Sequence, residues 1–221
     1  MTGAGVLVFR VILAVAAPLI SPHDPGSIDI RSRLMPPVWM DGGSWSHFFG
    51  TDNVGRDVLT RIIYGARVSL FIGVATILIG GLTGALLGMV AGYFRGKTES
   101  AIMRLVDIQM AFPSILLAVA IMALVGPSML NVIFVLSLST WAPFCRVARA
   151  QTLHVCSQEY IIAAEALGLK DWAILIRHVI PNIMSPLIVV ASFALATNII
   201  NEASLSFLGV GVPPSTPTWG G

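Results

Sequence analysis

The sequence predicts an all-α, polytopic membrane protein, a bundle of helices crossing a bilayer, and three observations predict it. Hydrophobic residues make up 56% of the chain and charged residues 11%, whereas a typical soluble domain carries about a quarter charged residues. Long uncharged runs recur along the chain, at lengths suited to spanning a hydrocarbon core about 30 Å thick. Shorter arginine-bearing stretches separate them. A lipid membrane is therefore the medium this chain is built for. The net charge of +2 carries little information by itself, because the distribution of basic residues across the membrane sets orientation. Nothing in it points to nucleic acid as a partner.

The first apolar run, residues 6–20, is short for a span and contains Arg10. A secretory signal peptide is the rival reading, but the start is not basic and Ser21-Pro22-His23-Asp24-Pro25 makes a poor cleavage region. Residues 1–20 are read as a first transmembrane helix. Residues 21–67 are polar, broken by Pro36-Pro37 and Gly42-Gly43, with Trp39, Trp45, Phe48 and Phe49 as interface-seeking aromatics. They hold too few apolar residues for a core of their own, so they form an external loop. Within it Asp52, Arg56 and Asp57 are expected to fix the loop by local hydrogen bonds and helix capping.

Residues 68–221 form the transmembrane core. The run 68–94 is long enough to cross with tilt, and Gly80, Gly84, Gly88 and Gly92 repeat every fourth residue along it. Such a ridge of bare backbone lets membrane helices approach closely, where contact geometry replaces the missing hydrophobic drive. It is read as a helix-packing seam. Arg95, Lys97, Glu99 and Arg104 make a basic, inner-side loop, and Asp107 is placed to pair with Arg104. The apolar stretch 108–144 is too long for one span. Gly126-Pro127 divides it into two helices, and Pro113 is expected to kink the first. Arg146 and Arg149 return the chain to the inner side, where Cys145 and Cys156 also lie, so no structural disulfide is expected. The basic residues of residues 21–67 weaken a raw count, and five aspartates balance them.

The long polar interruption at 153–182 is the element the rest serves. Tyr160, Ala163, Ala164 and Leu167 fall at i, i+3, i+4 and i+7, which predicts a short helix with two alanines on a shared stripe. Ser157 is the expected N-cap and Glu159 sits in the first turn. Gly168 ends or bends the helix. A second stripe follows at Trp172, Leu175, Ile176 and Val179, and Pro181 is expected to stop that helix before the run 183–201. Glu202 follows directly, a carboxylate at membrane depth or at its boundary, with pathway and structural roles both open.

These residues carry a family resemblance. Ala163-Ala164, Gly168 and Ile180-Pro181 resemble the "EAA" loop of ABC importer permeases, where it enters a cleft on a cytoplasmic ATPase. Glu159-Tyr160, Ala166-Leu167-Gly168, Asp171, Arg177-His178 and Pro181-Asn182 are similar to the C-type subunit of the dipeptide, oligopeptide and nickel permeases. So are Gly50-Thr51-Asp52-Asn53-Val54-Gly55-Arg56-Asp57, Ala111-Phe112-Pro113 and Ala203-Ser204-Leu205-Ser206-Phe207-Leu208-Gly209. One position departs: the family often has glutamate directly before the two alanines, where this chain has Ile162, although Glu159 and Glu165 lie nearby.

The resemblance implies a permease-type helical bundle with about five spans of about six present, the last lying beyond Gly221. It implies a second homologous permease subunit, two cytoplasmic ATPases, an extracytoplasmic solute-binding protein and a place in the bacterial inner membrane. Glu159, Tyr160, Ala163, Ala164, Glu165 and Gly168 would then couple to the ATPases. The cargo would be a small peptide, a nickel complex or a similar solute. A truncated, inactive or structural subunit and a stand-alone secondary transporter or channel are the alternatives. The sequence contains no Walker A, GxSxG or HExxH motif, so the chain is read as a non-enzyme without cofactor or metal. Its histidines, His23, His47, His154 and His178, are scattered, and His154 with Cys156 lacks further ligands.

Overall fold

The computed structural model describes residues 16–220. Of the first expected span only residues 16–20 (α1) fall inside that range, and they are helical; the rest of that expectation lies outside the described residues. The helices that follow are α2 (Val58–Thr76), α3 (Leu82–Phe94), α4 (Gly96–Ala111), α5 (Ser114–Val125), α6 (Met129–Cys156), α7 (Glu159–Ala166), α8 (Asp171–Ile174) and α9 (Ile180–Phe207). A wider π turn, Ile77–Gly81, joins α2 to α3, and another, Leu175–Val179, joins α8 to α9. Among the described residues three continuous helices are long and apolar enough to cross a membrane, Val58–Phe94, Met129–Cys156 and Asp171–Phe207, and the bent pair α4 and α5 makes up to four. At 37 residues, the first and last run to about 55 Å at 1.5 Å per residue. That exceeds the hydrocarbon core, so their ends project beyond it.

The chain divides into two compact units. Among the described residues, one comprises 16–72, the short piece 127–129 and 202–220. Its loop is held by backbone bonds from Leu34 N to Asp52 O, Thr51 N to Met35 O and Val38 N to Phe48 O, at 3.0 to 3.2 Å. Asp52 accepts from the backbone of Val54 and Arg56 and from Arg56 Nε, each at 2.9 Å. Asp57 accepts from Thr60 N at 2.8 Å and so caps α2. The helix begins at Val58 rather than near Val68, and the arginine within its first turn explains why an apolar count misses this start. Arg61 Nη1 donates to Pro214 O at 3.3 Å, beside Arg56 Nη1 at 2.9 Å, so its charge has a carbonyl partner within the same unit.

The second unit comprises residues 73–126 and 130–201. Its core gathers Met89, Phe144, Ala148, Val155, Ile161, Ile174, Val179, Ile183 and Leu187, drawn from α3, α6, α7, α8, the π turn Leu175–Val179 and α9. Two expectations change here. Pro113 breaks the helix rather than kinking it: α4 and α5 meet at 85°. Phe112 ahead of it takes the extended backbone (φ −94°, ψ 135°) that a following proline favours. Asp107 pairs with Arg146 of α6 at 2.8 Å, not with Arg104 on its own helix. A second bridge ties α4 to α6 through Arg149 Nε and Glu99 Oε1 at 2.7 Å.

Candidate functional site

In α7 the sequence stripe divides. Ile161 is fully buried and Ala164 nearly so, while Glu159, Tyr160, Ile162, Ala163, Glu165 and Leu167 are exposed. Ile161 is what the pattern missed: the core cluster it joins also draws on α3, α6, α8 and α9, and a fully buried isoleucine contributes about 1.5–3 kcal/mol. The N-cap is Gln158 in extended backbone with no side-chain bond. Ser157 does not cap, because its hydroxyl donates back to His154 O at 2.8 Å. At the other end Gly168 takes φ +79°. Its N–H reaches Glu165 O at 2.9 Å and Leu169 N–H reaches Ala164 O at 3.1 Å, the paired bonds of a Schellman stop. A short helix is thus pinned on one face and free on the other.

Beyond it, Tyr93 Oη at the end of α3 donates to Asp171 Oδ1 at 3.0 Å. Tyr160 and His178 rings lie 5.9 Å apart, and Asn182 Nδ2 lies 3.4 Å from Tyr160 Oη. Ile174 and Val179 are buried while Trp172 and Ile176 are exposed, so the predicted second stripe also splits. Pro181 does not stop the helix. The π turn carries a bond from Ile180 N to Leu175 O, and this wider turn lets the helix pass a residue that cannot donate. The surface segment α8 is therefore continuous with the long apolar helix α9.

The four ridge glycines face one helix. A Cβ on Gly80 would lie 2.6 Å from Ser137 O, and one on Gly92 would lie 2.8 Å from Arg149 O; those on Gly84 and Gly88 would overlap Trp141 O and Cys145 O. The partners also advance by fours, so α3 and α6 run in register with backbone against backbone. Residues of α4, α5, α6 and α9 line a cavity of about 410 Å³. Its polar lining is Gln109, Ser114, Ser139, Thr140, Thr197, Asn198 and Asn201, with no charged residue among the lining residues. Thr140 Oγ1 lies 3.3 Å from Asn198 Oδ1, and Asn198 Nδ2 is buried without a partner among the described residues. Pro143, which also lines it, removes the i+4 donor that Ser139 O would otherwise receive. No spacing rule marks these amides in the sequence. Glu202, in the other unit, is fully buried. Its Oε2 accepts from Ser69 Oγ and its Oε1 from Ser206 Oγ, each at 2.9 Å.

Comparison with known proteins decides what such a molecule is. Residues 84–221 match the family model described as the binding-protein-dependent transport system inner membrane component. Residues 1–37 match the N-terminal transmembrane domain of oligopeptide transport permease C. The chain belongs to this permease family. It is 39% identical over 219 residues to the di/tripeptide transport system permease protein DppC of Pseudomonas aeruginosa, covering 98% of this chain and 72% of that one. It is 34% identical over 220 residues to the oligopeptide transport system permease protein OppC of Bacillus subtilis, covering 100% of this chain and 70% of the relative. The glutathione transport system permease protein GsiD of Pectobacterium atrosepticum is 38% identical over 218 residues, with 98% and 71% covered. The permease is a multi-pass inner-membrane component of an ABC importer, and its helical architecture is that of a membrane bundle.

Proposed function

We propose that this permease forms, with a second homologous permease subunit, the pathway by which a small peptide delivered by an extracytoplasmic solute-binding protein crosses the membrane. The relatives named above serve peptide and glutathione systems, which favours a peptide over a nickel complex. A neutral cavity whose largely apolar wall carries amides and hydroxyls also suits peptide groups, which both donate and accept hydrogen bonds. Two cytoplasmic ATPases supply the energy. They dock on the loop 153–182, with Glu159, Tyr160, Ala163, Ala164, Glu165 and Gly168 at or beside the contact.

The observation that carries this reading is the division of α7. Its buried face belongs to the core shared by α6, α8 and α9, while Tyr160, Ile162 and Leu167 are exposed, Leu167 by 81%. A displacement imposed on the exposed face is therefore transmitted to membrane helices by a rigid contact, the kind of element shift through which switches act. The two ATPase states differ in their contacts with α7, and that difference biases the permease between its own states.

Two variants test it. Gly168→Asp places an L side chain in left-handed backbone and adds charge at the stop of α7. Leu167→Asp changes only an exposed side chain. Both are expected to insert normally and to lose ATPase co-purification and peptide uptake. Wild-type co-purification by both variants would overturn the docking assignment.

A further inference from the structure

The histidines that look scattered along the sequence are not all scattered in space. His23 and His47 stack with ring centroids 4.7 Å apart and planes inclined by 23°. Both rings present Nδ1 to one carboxylate: His47 lies 3.0 Å from Asp57 Oδ1, and His23 lies 3.9 Å from Asp57 Oδ2. One donor atom from each of the three residues lies within 4.8 Å of the others. The Asp57 side chain is 1% exposed, His47 14% and His23 33%. All three belong to the same compact unit.

Local bonds explain part of this arrangement and leave one atom unexplained. Asp57 caps α2 through Thr60 N and bonds His47, which accounts for both of those side chains. His23 Nδ1 is different: it is buried with no hydrogen-bond partner among the described residues, and 3.9 Å to the carboxylate is too long for a hydrogen bond. The residue is nonetheless held in place. Ser21 Oγ lies 2.8 Å from His23 O and 3.2 Å from Thr60 Oγ1, tying this turn to the first turn of α2.

We propose that His23, His47 and Asp57 form a site for a divalent transition-metal ion, zinc in the first instance. Zinc bonds of about 2.0–2.2 Å in tetrahedral geometry hold neighbouring donors about 3.4 Å apart. The separations, 3.0 Å from His47 Nδ1 to Asp57 Oδ1 and 3.9 Å from His23 Nδ1 to Asp57 Oδ2, lie on either side of that value. Two imidazoles with one carboxylate suit zinc, nickel or cobalt better than magnesium or calcium, which take oxygen-rich sites. Water completes the coordination. The Thr60 N–H bond to Asp57 orients the carboxylate from outside the metal shell, as such supports commonly do. A bound ion would clamp three points distant in sequence, the exit of the first apolar run, the aromatic turn around Phe48 and the start of α2. Metal binding would then stabilise the loop by linkage.

The test uses the full chain carrying a histidine-free affinity tag, purified in detergent, stripped with chelator and titrated with zinc sulfate. The expected result is about one ion per chain, with affinity falling by roughly tenfold or more in His23→Tyr, which retains an aromatic ring against His47. A His154→Gln/His178→Gln double variant should bind as wild type. X-ray absorption of the zinc-loaded wild type reads the site without any substitution, and it should show imidazole and oxygen donors without sulfur. Absence of zinc binding by the wild type, unchanged affinity in His23→Tyr, loss in the double variant, or sulfur scattering would each overturn the assignment.

Discussion

For Glu202 we propose a structural role, on the strength of its hydrogen-bond partners. A carboxylate at membrane depth invites a pathway reading, but both oxygens are occupied by serine hydroxyls inside one unit. Ser69 in turn accepts from Trp219 N at 3.3 Å, so Glu202 joins α2, the end of α9 and the following segment. Glu202→Gln keeps an acceptor and adds a donor that a serine oxygen accepts, whereas Glu202→Ala leaves buried hydroxyls unpaired at about 1–3 kcal/mol. Thermal unfolding in detergent should therefore show a small shift for the glutamine variant and a large one for alanine; the reverse order would restore the pathway reading. Asp52 makes a second prediction at this scale. Burial raises its pKa, yet the backbone bonds from Arg56 and Val54 and the Arg56 side chain outweigh that and hold it below the ordinary value. A carboxyl depressed in the folded state contributes stability above its unfolded pKa of about 3.9, and that contribution disappears as pH falls through the lower folded value. Hydrogen exchange at the Val54 and Arg56 amides should accelerate below about pH 4 relative to neighbouring loop amides. Asp52→Asn should remove that pH dependence.

Between elements, the α3 and α6 seam makes the sharpest claim. Gly84→Val would drive a branched side chain into the Trp141 carbonyl, backbone that cannot rotate away. Overpacking of this kind costs about 1–3 kcal/mol or more, so the variant should unfold several degrees earlier by circular dichroism in detergent, while Leu86→Val on the exposed side of the same helix should not. A glycine repeat of period four is visible in a sequence, because only missing side chains permit such an approach; which helix it faces is not. The same limit governs α7. Tyr160, Ala163, Ala164 and Leu167 mark a helix, and Gly168 marks its stop. The buried face, however, turns on Ile161, which joins a core cluster that also takes Met89 from α3 and Leu187 from α9, far from it along the chain. The proline expectations missed for a related reason. Pro113 breaks its helix and Pro181 does not, because the π turn Leu175–Val179 absorbs the missing donor at the second site, and nothing local in the sequence announces that turn.

Across the whole molecule, composition and run length suffice for the membrane class, since the solvent imposes them. The ordered motifs suffice for the family. The polar groups of the cavity escape such reading, because Gln109, Thr140 and Asn198 are brought together only by tertiary structure. The proposed function turns on one mechanical link, in which force from nucleotide-driven ATPases would enter at the exposed face of α7 and leave through its buried face. Cysteine cross-linking tests that link directly. In a background with Cys145→Ala and Cys156→Ala, Ala163→Cys should cross-link to the ATPase subunit in inner-membrane vesicles, and the cross-link should abolish peptide uptake. A cysteine at Leu124, an exposed end of α5, should not cross-link to that subunit. Cross-linking from Leu124 but not from Ala163, or full uptake with α7 covalently tied to the ATPase, would contradict the account.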